Sequence, residues 1–315
     1  MQLRIFVEGQ DGITWKRWVE IAQLCEALGF DGLFRSDHVT SVVGGEEHDC
    51  LEAWTVLAGL AAVTTRLRLG TLVSPATYRH PSMLAKEVAT VDAISGGRAE
   101  LGLGAGWHKG EHMALGIPFP AMTDRVAMLA EQLEIVRAQW TGEPLAFAGK
   151  HYTLDGIAAR PVPVAQPHPR IIIGGSGGHT TALLAARWAD EYNLPYVSVA
   201  DAHRCRATIE AACNEIGRDP ATLRITLMTA FVLGHDAATR EQRAARSLRW
   251  KNEPSDTTAF LEANTDTWLI GDADTILARL ADYSEAGIDG VYLQHLDHPD
   301  DEVLHELATD LLPRS

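Results

Sequence analysis

The sequence predicts an α/β protein built as a (β/α)8 TIM barrel with insertions, and three observations predict it. Short apolar strands alternate with amphipathic helical stretches along the whole chain, the strands number eight, and most of them are near-continuously apolar. Parallel strands covered by helices read in this way, and eight such units suggest closure. An open doubly wound sheet is the competing arrangement.

The first strand is LRIFVE, Leu3 to Glu8. It is followed by a helical pattern with Trp15, Trp18, Val19 and Ala22 on one face and a stop at Gly29. GLFRSD, Gly32 to Asp37, is the second strand and leads to a helix near Leu51 to Thr64. RLGTLVS, Arg68 to Ser74, is the third. In the helix after it, Pro81 to Ile94, the residues Leu84, Val88, Val91 and Ile94 keep helical spacing until SGG ends the run. AELGLGAG, Ala99 to Gly106, is the fourth strand and precedes a Thr123 to Trp140 helix with Val126, Leu129, Leu133, Val136 and Trp140 in one stripe. RIIIGG from Arg170, EYNLPY from Glu191 to Tyr196, RITLMTAFVLG from Arg224 to Gly234 and DGVYLQHL from Asp289 to Leu296 complete the eight. A last helix runs from about Asp301 to Leu312.

At 315 residues the chain is longer than a plain barrel, by roughly 60 residues. The surplus falls at 107–122, 141–169 and 250–267, none of which holds a repeat or low-complexity tract. They read as insertions into a single domain spanning residues 1–315. Apolar residues at 46% supply a continuous core. Lys and Arg total 27 against 42 Asp and Glu, a net charge of −15, with no basic run, so neither nucleic acid nor an anionic membrane surface is an expected partner. Cys25, Cys50, Cys205 and Cys213 form no CxxC pair and read as separate thiols in a reducing compartment. The start MQLRIFVEGQ has no basic n-region or long h-region, and no apolar run reaches membrane-spanning length. The expectation is a soluble, cytoplasmic protein.

In such a barrel the chemistry lies at the C-terminal ends of the strands. Those ends carry Glu8, then Ser36, Asp37 and His38, then Ser74, then Gly104 to Trp107, then Gly174 to His179, then Gln294 and His295. Four glycines around Ser176, between a β-branched run and TTALLAARW, fit two readings. One is a phosphate cradle at a helix N-terminus; the other is the exposed nucleophile of a G-x-S-x-G elbow. The elbow wants a later Asp and His, for which His298 and Asp301 show no supporting spacing. A carboxylate beside an imidazole, as in Asp37 and His38, can make the ring a proton donor near neutral pH. HKGEH, His108 to His112, matches a zinc-protease pattern, but Gly110 weakens a helix there and no third ligand is evident. HLDHPDD, His295 to Asp301, reads as a solvated loop and helix N-cap.

Taken in order, FRSDH, RLGTLVSPATYRHP, SGGRAELGLGAGW, the helix beginning near GIPFP, and IIIGGSGG followed by AARWAD resemble the luciferase-like oxidoreductase superfamily. Within it the series resembles the branch that uses the deazaflavin coenzyme F420. The resemblance spans about Leu3 to Leu312 and implies a barrel with the ring at its C-terminal mouth, over a non-proline cis peptide that falls here at Leu72 to Val73, within Thr71 to Ser74. It implies a phosphate held by Ala105, Gly106, Gly175, Ser176, Gly177, Gly178, His179 and Thr180, which favours the cradle over the elbow. It implies that Asp37 hydrogen-bonds the cofactor and that His38 is the proton donor.

One departure stands out: sugar-phosphate dehydrogenases of this branch carry a catalytic Glu where this chain has Trp107. Glu111 is the substitute base four residues on. Trp107, His108, Met113 and Phe119 would then make an apolar mouth for an apolar or conjugated small-molecule substrate. Lys109 and Arg79 are candidates to hold the deazaflavin's oligoglutamate tail. The expected activity is hydride transfer with F420; the alternative is a monooxygenase using reduced FMN. Either would depend indirectly on a cofactor-reducing enzyme, and a homodimer is the family's implied assembly.

Overall fold

In the computed structural model, which describes residues 1–42, 48–250 and 256–314, eight parallel strands close on themselves. The strands in chain order are β1 (Gln2–Val7), β2 (Gly32–Arg35), β3 (Arg68–Thr71), β4 (Ser74–Pro75), β5 (Ala99–Gly104), β6 (Pro144–Ala148), β7 (Thr153–Ala158), β8 (Arg170–Gly174), β9 (Glu191–Pro195), β10 (Arg224–Leu233), β11 (Leu269–Gly271) and β12 (Gly290–Gln294). The helices are α1 (Trp15–Leu28), α2 (Ala53–Val63), α3 (Pro81–Ser95), α4 (Lys109–Leu115), α5 (Met122–Trp140), α6 (His179–Trp188), α7 (Val199–Glu215), α8 (Ala237–Trp250), α9 (Thr257–Asn264), α10 (Ala273–Glu285) and α11 (Asp301–Asp310). Around the barrel the order is β1, β2, β3 with β4, β5, β8, β9, β10, β12 and back to β1. Closure, rather than an open sheet, is the outcome.

The helices start and stop where local chemistry directs. Thr14 caps α1 by accepting from the Arg17 N–H, and His80 with Pro81 opens α3. Their outward strand neighbours form the main core: Leu3, Ile5, Leu33, Leu69, Leu101, Ile171 and Leu293 pack beneath α1, α2 and α3 and their successors. Inward residues alternate with these by the two-residue period of a strand. Phe6, Phe34, Leu72, Ile172 and Tyr292 fill the barrel as one apolar layer, with Val73 and Met228 against it. Below that layer lies a buried ionic one, in which Arg4 meets Glu100 at 2.9 Å and Glu191 at 3.8 Å. The apolar layer is thus the floor on which anything at the C-terminal mouth rests.

The insertions have structure of their own. Residues 141–169 contain the antiparallel hairpin β6–β7, and 107–122 contain α4, which forms despite Gly110 because His108 caps it by accepting from the Glu111 N–H. Of 250–267, residues 251–255 lie outside the described residues and 257–264 form α9. Reading HLDHPDD as a solvated loop is corrected: Asp300 does cap α11, but Asp300 and His295 are buried. The reason is α8, whose Arg243 and Arg246 cover the acidic side chains at 3.4 and 3.1 Å from Asp300. Among the described residues no helix is long and apolar enough to cross a membrane.

Candidate functional site

The C-terminal mouth opens into a cleft of about 630 Å³. Of the residues predicted for a site, Asp37, His38, Leu72, Ala105, Gly106, Trp107, Glu111, Gly175 and Ser176 line it. Ser74 is fully buried and reaches the site through Asp37. Gly177, Gly178, His179 and Thr180 continue the turn away from the cleft, and His179 is exposed and paired with Glu215 at 3.0 Å. The peptide between Leu72 and Val73 is cis.

His38 follows β2, and its partner comes from α4. The ring Nδ1 lies 2.8 Å from Glu111 Oε2. The other Glu111 oxygen accepts from the backbone N–H groups of Val39 and of Thr40, the latter at 2.9 Å. Burial by itself would raise the Glu111 carboxyl, but the hydrogen bonds from His38, Tyr78 and Val39 pull it down to about 2. Burial likewise opposes charge on His38, yet the hydrogen bond and negative charge of Glu111 prevail and raise its pKa above the ordinary imidazole value. The result is an imidazole whose protonated form is favoured by Glu111, at the edge of the cleft and 15% exposed. Trp107 stands edge-on to this ring with centroids 5.7 Å apart, and is 66% exposed.

Asp37 is gripped from beneath. Arg79 donates to both of its oxygens, at 2.6 and 3.1 Å, and the Ser74 hydroxyl donates to one of them. Arg79 also pairs with Glu52 and, at 3.2 Å, with Glu87. It is therefore engaged by three carboxylates and does not line the cleft, whereas Lys109 is exposed at the start of α4. In HKGEH, His108 caps α4, Glu111 holds His38, and His112 bonds Thr77 at 2.7 Å. Asp301, one of the elbow's imagined partners, is bound by Arg17, which also donates to the backbone carbonyl of His298, the other.

The glycine turn is anchored from below by Tyr192. Its hydroxyl accepts the Gly177 N–H at 3.1 Å and pairs with Thr181 Oγ1 at 2.9 Å. Gly178 caps α6 with no side-chain hydrogen bond, so the first turn of that helix faces outward with its N–H dipoles. Gly177 holds φ of 80°, and a Cβ there would sit 2.3 Å from Cys205 Sγ. We expect Gly177→Val to lower the melting temperature and to weaken binding of a phosphate-bearing ligand together, since both the backbone region and the packing forbid the side chain. A thermal melt and a ligand titration on one preparation check this; unchanged values in both would reject the placement.

Tyr78, Asn193, Tyr196 and Met228 also line the cleft and escape a reading of the sequence. Asn193 leaves a signal, a polar residue at an inward position within the strand EYNLP. Tyr78 leaves none, because it enters from the connection between β4 and α3.

Known proteins fall on the same pattern. The family profile described as luciferase-like monooxygenase matches residues 1–290. An FMNH(2)-dependent dimethylsulfone monooxygenase of Pseudomonas putida is 26% identical over 76% of this chain and 64% of its own length. An F420-dependent hydroxymycolic acid dehydrogenase of Mycobacterium tuberculosis is 31% identical over 70% of this chain and 60% of its own. The match thus spans less than two thirds of either relative. The monooxygenase RslO1 of Streptomyces bottropensis superposes with a TM-score of 0.84 at 24% identity over 99% of both chains, a likeness of fold.

Proposed function

The chain belongs to the luciferase-like monooxygenase family, and within it we propose that it is an F420-dependent oxidoreductase acting on an apolar or conjugated small molecule. The observation that supports this most is His38, whose Nδ1 meets Glu111 at 2.8 Å, a contact that favours the protonated ring, beside an apolar floor. Hydride transfer to a polarised double bond needs a proton delivered to the far atom, and a positioned imidazolium supplies it.

The residues fit a flat ring with a phosphate-bearing tail. A Cβ at Gly104 would lie 2.7 Å from Val73 Cγ2, so bare backbone and the Val73 side chain together make a smooth wall. Phe6, Leu72, Val73 and Met228 supply the apolar floor, His38 and Asn193 the polar edge, and Gly175 and Ser176, where the glycine turn leaves the cleft toward an α6 N-terminus without a side-chain cap, the place for an anion. When bound, the deazaflavin supplies or accepts a hydride at a ring carbon. His38 Nε2 gives its proton to the atom that receives the π pair. With hydride and proton both delivered, the substrate would gain a C–H and an X–H bond in place of its double bond. Asp37, locked by Arg79 and Ser74, keeps the β2 end in place; Trp107 offers a flat apolar face at the rim of the cleft.

Reduced FMN in the same cleft is the second reading, favoured by the likeness to an FMNH(2)-dependent enzyme. Titrating the protein with F420 and with FMN, by fluorescence or heat, separates them. We expect the deazaflavin to bind more tightly. Preference for FMN would make the monooxygenase reading the better one, and binding of neither would reject both.

A further inference from the structure

Four carboxylates line the cleft, those of Glu8, Asp11, Asp37 and Glu111, while no lysine or arginine is found among its described lining residues. Asp37 is balanced by Arg79 and Glu111 by His38. Glu8, at the end of β1, is held differently. Its Oε2 accepts from Gln10 Nε2 at 3.0 Å and its Oε1 from Gln294 Nε2 at 2.6 Å, both neutral amides. Each amide is fixed in turn, because Tyr196 OH donates to Gln294 Oε1 and Ser36 Oγ donates to Gln10 Oε1. An amide whose oxygen is taken by a hydroxyl presents its NH2 to the carboxylate, so Glu8 is oriented without being neutralised.

Two neighbours register this design. Tyr196, the far end of the hydrogen-bond chain, holds φ of 49°, a backbone region that favours glycine and persists where surroundings over-determine it. Asp11 on the same rim has its carboxyl pushed up to about 6, by burial first, with the Ser41 hydrogen bond opposing and the charge of Glu8 adding. The β1 side of the cleft therefore offers an oriented acceptor, each of whose oxygens accepts one amide N–H and can accept more.

We propose that Glu8 is the substrate-recognition group of the cleft, and that the substrate is an apolar or conjugated molecule carrying a protonated amine that pairs with it. The inference rests on the cleft being the catalytic site argued above. A neutral substrate would leave Glu8 with only neutral hydrogen-bond partners as water is displaced, and an anionic group placed against it would meet a carboxylate held by amides alone. A cationic amine satisfies the free lone pairs and the charge together.

Calorimetry with phenethylamine, phenethyl alcohol and phenylacetate, which share one apolar body, tests this on the full chain with and without bound cofactor. The amine should bind about tenfold more tightly than the alcohol, as a charge-assisted contact does over a neutral one, and the carboxylate most weakly. Glu8→Gln should remove the advantage of the amine, keep the affinity for the alcohol and leave cofactor affinity unchanged. Equal binding of amine and alcohol to the native protein would overturn the proposal, and this comparison needs no variant. Survival of the advantage in Glu8→Gln would overturn it also, as would a loss of cofactor affinity, which would make Glu8 a cofactor contact. Failure of every cofactor to bind would instead reject the function proposed above, while the amine comparison on the cofactor-free protein still decides the role of Glu8.

Discussion

His38→Ala is expected to lower kcat by about 10²- to 10⁴-fold, the range for losing a positioned general acid, while the cofactor dissociation constant stays nearly unchanged. The reasoning is geometric. Nδ1 is engaged by Glu111 at 2.8 Å, so the proton to be transferred would be the one on Nε2, and a ring resting on Phe6, Leu72 and Val73 would need neither nitrogen to hold it. The pH dependence follows from the raised pKa of His38. As the acid, it is active when protonated, so kcat for reduction should be flat at lower pH and fall as pH rises through the raised value. Glu111→Gln removes the carboxylate's charge and leaves burial opposed mainly by the smaller effects of Glu8 and Asp37. The fall should then move to lower pH, which a structural loss alone would not produce. Steady-state kcat profiles of both variants, with a cofactor titration alongside, check the assignment; an equal loss of affinity and turnover would mark His38 as a binding residue.

The second large effect lies in the barrel interior. Arg4→Met should destabilise the fold by about 3–5 kcal/mol, the usual result of stranding buried carboxylates. Arg4 is 2% exposed and donates to Glu100 at 2.9 Å, while Glu100 and Glu191 are fully buried. Arg68 and Arg170 still reach Glu100, at 3.2 and 3.5 Å, which places the loss toward the lower end. The sign with pH is specific. Burial raises the Glu100 carboxyl, but Arg4, Arg170 and Arg68 overcome it and depress its pKa in the folded protein. A depressed carboxylate stabilises the fold above its unfolded pKa, and this stability is lost as pH falls through the folded value. Without Arg4 the depression shrinks, so the gain in stability between acid and neutral pH should be smaller than in the native protein. Urea midpoints at acid and neutral pH test this, and equal gains in the two proteins would show that Arg4 does not set the ionisation of Glu100.

Much of the barrel was legible because its strands carry their own signal. RIIIGG, RLGTLVS and AELGLGAG are apolar runs, the first and last ended by glycines, and each lies within a residue or two of β8, β3 with β4, and β5. The hairpin β6–β7 was not, since PLAFA is apolar throughout and TLDGIA is mixed, so neither strand shows the polar–apolar alternation that marks a two-faced strand. The solvated reading of HLDHPDD failed for another reason. Its burial comes from Arg243 and Arg246, some fifty residues earlier in the chain, and local polarity says nothing of a partner that distant.

By itself the sequence determined the alternation, the number of strands, and the topological rule that places Asp37, His38, Trp107 and Ser176 at one mouth. Periodicity and turn chemistry are local properties, and barrel closure makes strand ends converge whatever their side chains. Only the tertiary structure decided who holds whom. That Glu111 reaches back 73 residues to His38, that Arg79 faces three carboxylates instead of the cleft, and that Glu8 is oriented by neutral amides are all matters of distance. Charge, burial and hydrogen-bond geometry act through space, and spacing along the chain does not encode them until the barrel has closed.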